Sequence, residues 1–138
     1  MNTKRFALLA GIVYLLIGLA GFFPDLLRAL PSESPELRVD ALQGLLLGLF
    51  PVNLLHTLIH LAIGIWGAVA SRGLAASVFY AKSLAIIFGV LAVMGLIPGL
   101  NSVFGLLPLH GHDIWLHAGT AILGAYFGYF VSQRMAAS

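Results

Sequence analysis

The chain has 138 residues, of which 60% are hydrophobic and only 9% are charged, with a formal net charge of +2; its mean hydropathy is +1.01. A soluble domain carries about 25% charged residues, so this composition argues against a water-soluble fold, which would lack polar side chains to cover its surface. The small, dispersed positive charge argues against nucleic-acid binding, and the absence of cysteine excludes disulfides and thiolate metal sites. The sequence therefore predicts a single integral membrane domain over residues 1–138, with the lipid bilayer as its surroundings.

Four apolar runs are each close to the roughly 20 residues that cross a bilayer core. In chain order they cover about residues 6–23, 52–70, 74–97 and 113–131. Lys4 and Arg5 precede the first run as they would in a signal peptide, but the run is long and lacks a cleavage site of small residues, so we expect a retained anchor. The predicted fold class is all-α, a four-transmembrane-helix bundle.

The segment between the first two runs has two parts. Residues 24–41 contain four of the five acidic residues and are predicted to form a polar loop. Residues 42–50 are apolar but too short to span a bilayer, and we predict a partial helix lying in the interface before Pro51.

The basic residues predict the orientation. Lys and Arg are enriched in cytoplasmic segments. One predicted side of the membrane carries Lys4, Arg5, Arg72, Lys82 and Arg134, and the other carries Arg28 and Arg38. Both termini are therefore predicted to lie in the cytoplasm, in a bacterial inner membrane or an equivalent cell membrane.

The sequence pattern of the first two apolar runs recurs in the last two. The first run ends in Gly21-Phe22-Phe23-Pro24 and the third in Gly95-Leu96-Ile97-Pro98. His60 is followed by a glycine seven residues later, and so is His117. The match predicts two pseudo-repeated helical hairpins related by an axis along the membrane normal; chance recurrence of Gly and Pro in apolar helices is the alternative.

The second run begins with an Asn-x-x-His-x-x-x-His-Leu-x-x-Gly motif, formed by Asn53, His56, His60, Leu61 and Gly64. A Pro-x-x-Asn at Pro98 and Asn101 and an Asp-x-x-x-His at Asp113 and His117 follow later. These motifs resemble the uncharacterised bacterial four-helix membrane family catalogued as domain of unknown function 4383. The resemblance covers most of the chain and implies the four-helix fold, although the acidic first loop is less typical. It implies no activity, because that family has none assigned.

Two pairs of ionisable residues are predicted to form one site. His56 and His60, like Asp113 and His117, are four residues apart, so each pair shares a helix face. Both helices are predicted to begin on the outer side, which places the four side chains at overlapping depths in the outer leaflet. Ionisable groups inside a membrane usually face the bundle interior. If the second and fourth helices adjoin, all four residues meet; Asn53, His110 and His112 are secondary candidates.

Three interpretations of this cluster stay open. Imidazole and carboxylate ligands suit Zn, Cu, Fe or Ni, and His56, His60 or His117 is also a candidate axial ligand of haem or of a chlorophyll-type pigment. The protein would then be a non-enzymatic accessory subunit of a larger membrane complex or a homo-oligomer. In the second interpretation the same residues handle protons in a small transporter. In the third, an Asp–His or His–Asn hydrogen-bond network ties the second and fourth helices together in a purely structural bundle, with Asn53, Thr57 and Thr120 as further partners.

Sequence signatures of common enzymes are missing. The chain contains no glycine-rich phosphate loop, no Gly-x-Ser-x-Gly and no His-Glu-x-x-His. No catalytic residue is therefore predicted.

Overall fold

The computed structural model describes residues 1–132, so Arg134, which contributes to the predicted orientation, lies outside the described residues. Most of the described chain is helical. The helices are α1 (Thr3–Ala20), α2 (Leu54–Ala70), α3 (Leu74–Leu96) and α4 (Asp113–Ala125), and a π-helix at Tyr126–Val131 continues α4. The predicted four-helix bundle is confirmed.

Three of the helices are long and apolar enough to cross a membrane: α1, α3, and α4 together with its π-helical continuation. The second helix, α2, is apolar but has 17 residues, about 26 Å of rise against a bilayer core of about 30 Å. The predicted boundaries agree with these helices within three residues, the largest differences being at α1. Three membrane-crossing helices are consistent with a membrane protein, and a fourth span stays a prediction.

The chain between α1 and α2 forms a small antiparallel sheet that the sequence did not suggest. Its strands are β1 (Leu27–Arg28), β2 (Gly44–Leu46) and β3 (Phe50–Val52), in the order β1-β2-β3. The prediction of a partial helix over residues 42–50 is wrong.

Backbone geometry explains this error. Leu42 and Leu47 have φ angles of 52° and 54°, and Gly48 has 73°, values that a right-handed helix does not contain. The chain turns at residues 47–49, and β2 pairs with β3. A helix of only nine residues is marginal on its own. Pairing of β2 with β3 instead gives backbone N–H and C=O groups of this segment hydrogen-bond partners.

Close backbone contacts join α1 to α2 and α3 to α4. In the first hairpin, a Cβ at Gly67 would lie 2.8 Å from the carbonyl oxygen of Ala7. In the second, a Cβ at Gly124 would lie 2.7 Å from the carbonyl oxygen of Ala81. Small residues let helix backbones approach closely in membranes. Gly67 matches Gly124 in the predicted repeat, and Ala7 matches Ala81, so both hairpins use the same contact.

Contacts between the hairpins repeat in the same way. The Thr3 hydroxyl donates to the carbonyl oxygen of Phe127 at 3.0 Å, and the Ser77 hydroxyl donates to that of Ala70 at 2.9 Å. Thr3 and Ser77 are matching positions of α1 and α3, and Ala70 and Phe127 match in the other two segments. These matching contacts are the ones that a pseudo-repeat of the two hairpins would produce, and the axis that relates the hairpins stays a prediction.

The hydrophobic core lies between the hairpins. It consists of small and aromatic residues that come largely in matching pairs: Phe6, Ala7, Tyr14, Ala70, Tyr80, Ala81, Leu84, Phe88 and Phe127. At one end of the core lie the α1 start and the α2–α3 turn, and at the other lie the two long loops, residues 21–53 and 97–112.

Replacing Gly124 by alanine should destabilise the bundle. The new Cβ would meet the backbone of α3 closer than real contacts allow, so we expect a loss of about 1–3 kcal/mol in the free energy of unfolding. The matched control is Gly119→Ala on the same helix, where a Cβ meets nothing within 4 Å and stability should hold or rise. Thermal unfolding in detergent measures both; equal shifts would contradict the packing role.

Candidate metal centre

The start of α2 is fixed by Asn53. Its side-chain oxygen accepts a hydrogen bond from the backbone N–H of His56 at 2.9 Å, an N-cap that satisfies one otherwise unpaired amide of the first turn. Its side-chain nitrogen donates to the carbonyl oxygens of Val39 at 2.9 Å and Leu106 at 2.8 Å. One buried side chain thus orients the helix that carries His56 and joins it to both long loops.

The two long loops form one layer at this end of the bundle. The backbone N–H of Arg38 donates to the carbonyl oxygen of Gly105 at 2.7 Å, and that of Leu54 donates to Ala41 at 2.8 Å. Val52 and Leu109 are 2% and 1% exposed. Loop residues beside the first turns of α2 and α4 are therefore packed away from the medium.

The four predicted site residues meet at the starts of α2 and α4. One nitrogen from each of His56, His60 and His117 lies within 4.8 Å of the others. The Asp113 carboxylate oxygen lies 3.4 Å from Nε2 of His117 and 3.9 Å from Nε2 of His56. All four residues are at most 2% exposed. The starts of α2 and α4 therefore come together at this end of the bundle, which is the condition that the sequence left open.

Polar atoms of this cluster are largely without hydrogen bonds. Within residues 1–132, eight buried side-chain atoms have no partner, and all belong to the cluster or its neighbour Thr57: Nδ1 of His56, Oγ1 of Thr57, both ring nitrogens of His60 and of His117, and both carboxylate oxygens of Asp113. Native proteins leave only a few such groups per hundred residues, because each costs free energy. Buried polar atoms of this kind are satisfied by ordered water, an ion or another ligand.

The partners expected for a structural network are engaged elsewhere. The Asn53 amide bonds the loops and its own helix, and the Thr120 hydroxyl shares a 2.6 Å hydrogen bond with Tyr14. The Thr57 hydroxyl has no partner among the described residues. A hydrogen-bonded network from the histidines through these three residues is therefore absent from the described part of the chain.

The donor set fits a single metal ion. A tetrahedral ion at about 2 Å from each ligand holds the ligand atoms roughly 3.3 Å apart. The distance of 3.4 Å between Asp113 and His117 matches this value, and the 3.9 Å to His56 is slightly longer. The three imidazoles would need to converge from separations of up to 4.8 Å. Asp113 is not part of this three-histidine group and lies beside it, near His56 and His117.

The secondary candidates lie outside this cluster. His112 is exposed, and its carbonyl oxygen accepts the backbone N–H of Leu116 at 3.2 Å at the start of α4. His110 is half-buried in the loop, and that burial lowers the pKa of its imidazole, which favours the neutral form. Neither belongs to the group of converging histidines, and Asn53 supports the site through the backbone.

Two aromatic residues that sequence reasoning missed flank the cluster. The Tyr14 ring lies 5.3 Å from the His60 ring, and the Phe88 ring lies 4.9 Å from the His117 ring. The two aromatic rings are 5.2 Å apart. The repeat could have indicated them, because they occupy matching positions. Tyr14 lies seven residues before Gly21, and Phe88 lies seven residues before Gly95.

A comparison with protein families finds one match for this chain. The family model described as Domain of unknown function (DUF4383) matches residues 4–130, a range that contains all four helices except the first residue of α1 and the last residue of the π-helix. No curated protein and no solved structure matches the chain.

Replacing Asn53 by alanine should destabilise the site end of the bundle. The variant loses the α2 cap and leaves the carbonyls of Val39 and Leu106 unpaired, so we expect a loss of about 2 kcal/mol or more. The control, Asn2→Ala, removes an exposed cap of α1 and should cost about 1 kcal/mol or less. Thermal unfolding and hydrogen exchange of the loop amides test this; equal losses would contradict it.

Proposed function

We propose that this chain, which belongs to the family described as Domain of unknown function (DUF4383), holds one divalent transition-metal ion inside a membrane bundle. The ligands are His56, His60 and His117, with Asp113 as the fourth. The observation that supports this function is the convergence of three buried imidazoles within 4.8 Å of one another, beside a buried carboxylate without hydrogen bonds.

Ligand chemistry favours a transition-metal cation. The Asp113 carboxylate has no hydrogen-bond partner among the described residues, and a buried polar group without a partner is costly. A divalent ion would bind this carboxylate and the ring nitrogens together, leaving one net positive charge at the site. Three nitrogens and one oxygen suit zinc, copper, nickel or iron better than magnesium or calcium, which prefer oxygen ligands.

A bare ion is favoured over a porphyrin or chlorophyll-type pigment. Such a macrocycle needs one or two axial ligands and a flat slot for its ring. Here three histidines converge on one point, and their rings are in contact, with His56 and His60 centroids 4.3 Å apart. At most 2% of each residue is exposed, which argues against a slot beside them.

Enclosure of the site favours a structural role over catalysis. Catalytic zinc sites keep a position open for water or substrate, whereas structural sites are closed by four protein ligands. The four proposed ligands come from both hairpins, so the ion would fasten one hairpin to the other. We infer a non-enzymatic accessory subunit, working beside a larger membrane complex or as a homo-oligomer, with both termini cytoplasmic and the metal in the outer leaflet.

Elemental analysis of detergent-purified protein tests the metal. Cells supplied with zinc, copper, nickel and iron should yield protein with close to one ion per chain. The His56→Ala/His117→Ala variant should lose about tenfold or more of it, because half of the ligands are removed. The control is His112→Ala, which changes an exposed histidine one position before α4 and should match the wild type.

Chelation gives a second readout of the same site. Removing the ion should lower the unfolding temperature of the wild type, since bound metal stabilises the folded state, and should leave the double variant unchanged. Metal-free wild-type protein that is indifferent to chelators would overturn the proposal. The same four residues would then be candidates for proton handling.

Single cysteines test the proposed orientation, because the natural chain has none. Ser32→Cys lies in the acidic loop and Ser71→Cys in the α2–α3 turn, at opposite ends of the bundle. In intact cells a membrane-impermeant thiol reagent should label only the Ser32→Cys variant. After permeabilisation it should label both variants. Labelling of the second alone in intact cells would reverse the orientation.

A further inference from the structure

A groove lies between α1 and α4, on the face of the bundle beside Tyr14. Its volume is about 400 Å³, and its walls include Phe6, Ala10 and Val13 from α1 and Leu116 and Leu123 from α4. The walls are almost entirely apolar. Two hydroxyl groups occur there, those of Tyr14 and Thr120, and they bond to each other at 2.6 Å. The groove therefore offers little to a polar ligand.

The repeat provides an internal comparison for this groove. The matching face lies between α3 and α2, and two of the groove positions carry larger residues there. Ala10 of the groove corresponds to Leu84, which is fully buried, and Leu123 corresponds to Trp66. The Trp66 ring packs edge-on against Tyr80 with centroids 5.0 Å apart. Smaller residues at these two positions leave space on the groove side.

Gly119 lines the groove and is unlike the other helical glycines. At glycines such as Gly11, Gly67 and Gly124, a Cβ would come within 3 Å of a neighbouring helix. At Gly119 a Cβ would meet nothing within 4 Å. A helix-interior glycine costs about 1 kcal/mol relative to alanine, and contacts within the described chain give no reason for it here. Within the described residues, the space beside Gly119 is therefore open.

We propose that this groove binds one acyl chain of a membrane phospholipid. Both of its walls belong to segments long and apolar enough to cross a membrane, so hydrocarbon chains are the molecules that surround it. Along α1 the groove extends from Phe6 to Tyr14, about 12 Å at 1.5 Å per residue, parallel to the direction in which lipid chains lie. A narrow concave groove of this shape suits a single chain better than the convex face of a second bundle. The proposal does not depend on the metal.

Native mass spectrometry tests this binding. The protein is purified in mild detergent, delipidated and titrated with dipalmitoyl phosphatidylglycerol. We expect one lipid per chain to be retained. Gly119→Leu, which fills the open space, and Ala10→Leu, which copies the matching Leu84, should each weaken retention by about tenfold, a loss of about 1.4 kcal/mol.

The matched control is Ala75→Leu, which adds similar bulk at an exposed position of α3 outside the groove; it should retain lipid like the wild type. Circular dichroism confirms folding of each variant, and metal content should be the same in all of them. Equal lipid retention in both groove variants and the control would overturn the proposal. So would a dimer of this chain that forms in place of the lipid complex and is lost in Gly119→Leu.

Discussion

Burying three imidazoles and a carboxylate inside an apolar bundle imposes the requirements that the rest of the structure meets. The helices that carry them must begin at the same depth, and the Asn53 cap sets this for α2. The loops above them must be held together, and the same side chain bonds Leu106 of the second loop. The backbones must approach closely, which the glycine contacts of both hairpins allow. Each of these features is explained by the cluster more directly than by packing of the apolar residues alone.

Tyr14 lies between the cluster of histidines with Asp113 and the groove between α1 and α4. One side of its ring faces His60 and Phe88, and its hydroxyl bonds Thr120 at the edge of the groove. A change in the groove that moved Thr120 would reach the cluster through this one aromatic ring. Phe88, its counterpart, has no hydroxyl, so it cannot make the corresponding hydrogen bond.

Much of the fold and the site could be predicted from the sequence, because membrane helices follow from composition and run length alone. The i, i+4 spacing placed His56 with His60 and Asp113 with His117 on one helix face each, but it did not determine that the starts of α2 and α4 adjoin. The sheet before α2 was missed, since positive φ angles at Leu42 and Leu47 leave no mark in an apolar run. Tyr14 was missed because an aromatic residue in an apolar helix looks like ordinary core. The loop bonds of Asn53 depend on tertiary contacts that spacing does not encode.

The cluster is chemically asymmetric although its two halves come from matching positions. Two identical hairpins related by a twofold axis would supply every side chain of a shared site an even number of times. Here the cluster has three histidines and one aspartate, because His56 corresponds to Asp113. A single chain that contains both hairpins can place a carboxylate on one side and an imidazole on the other, so any ligand there meets an unequal set of donors.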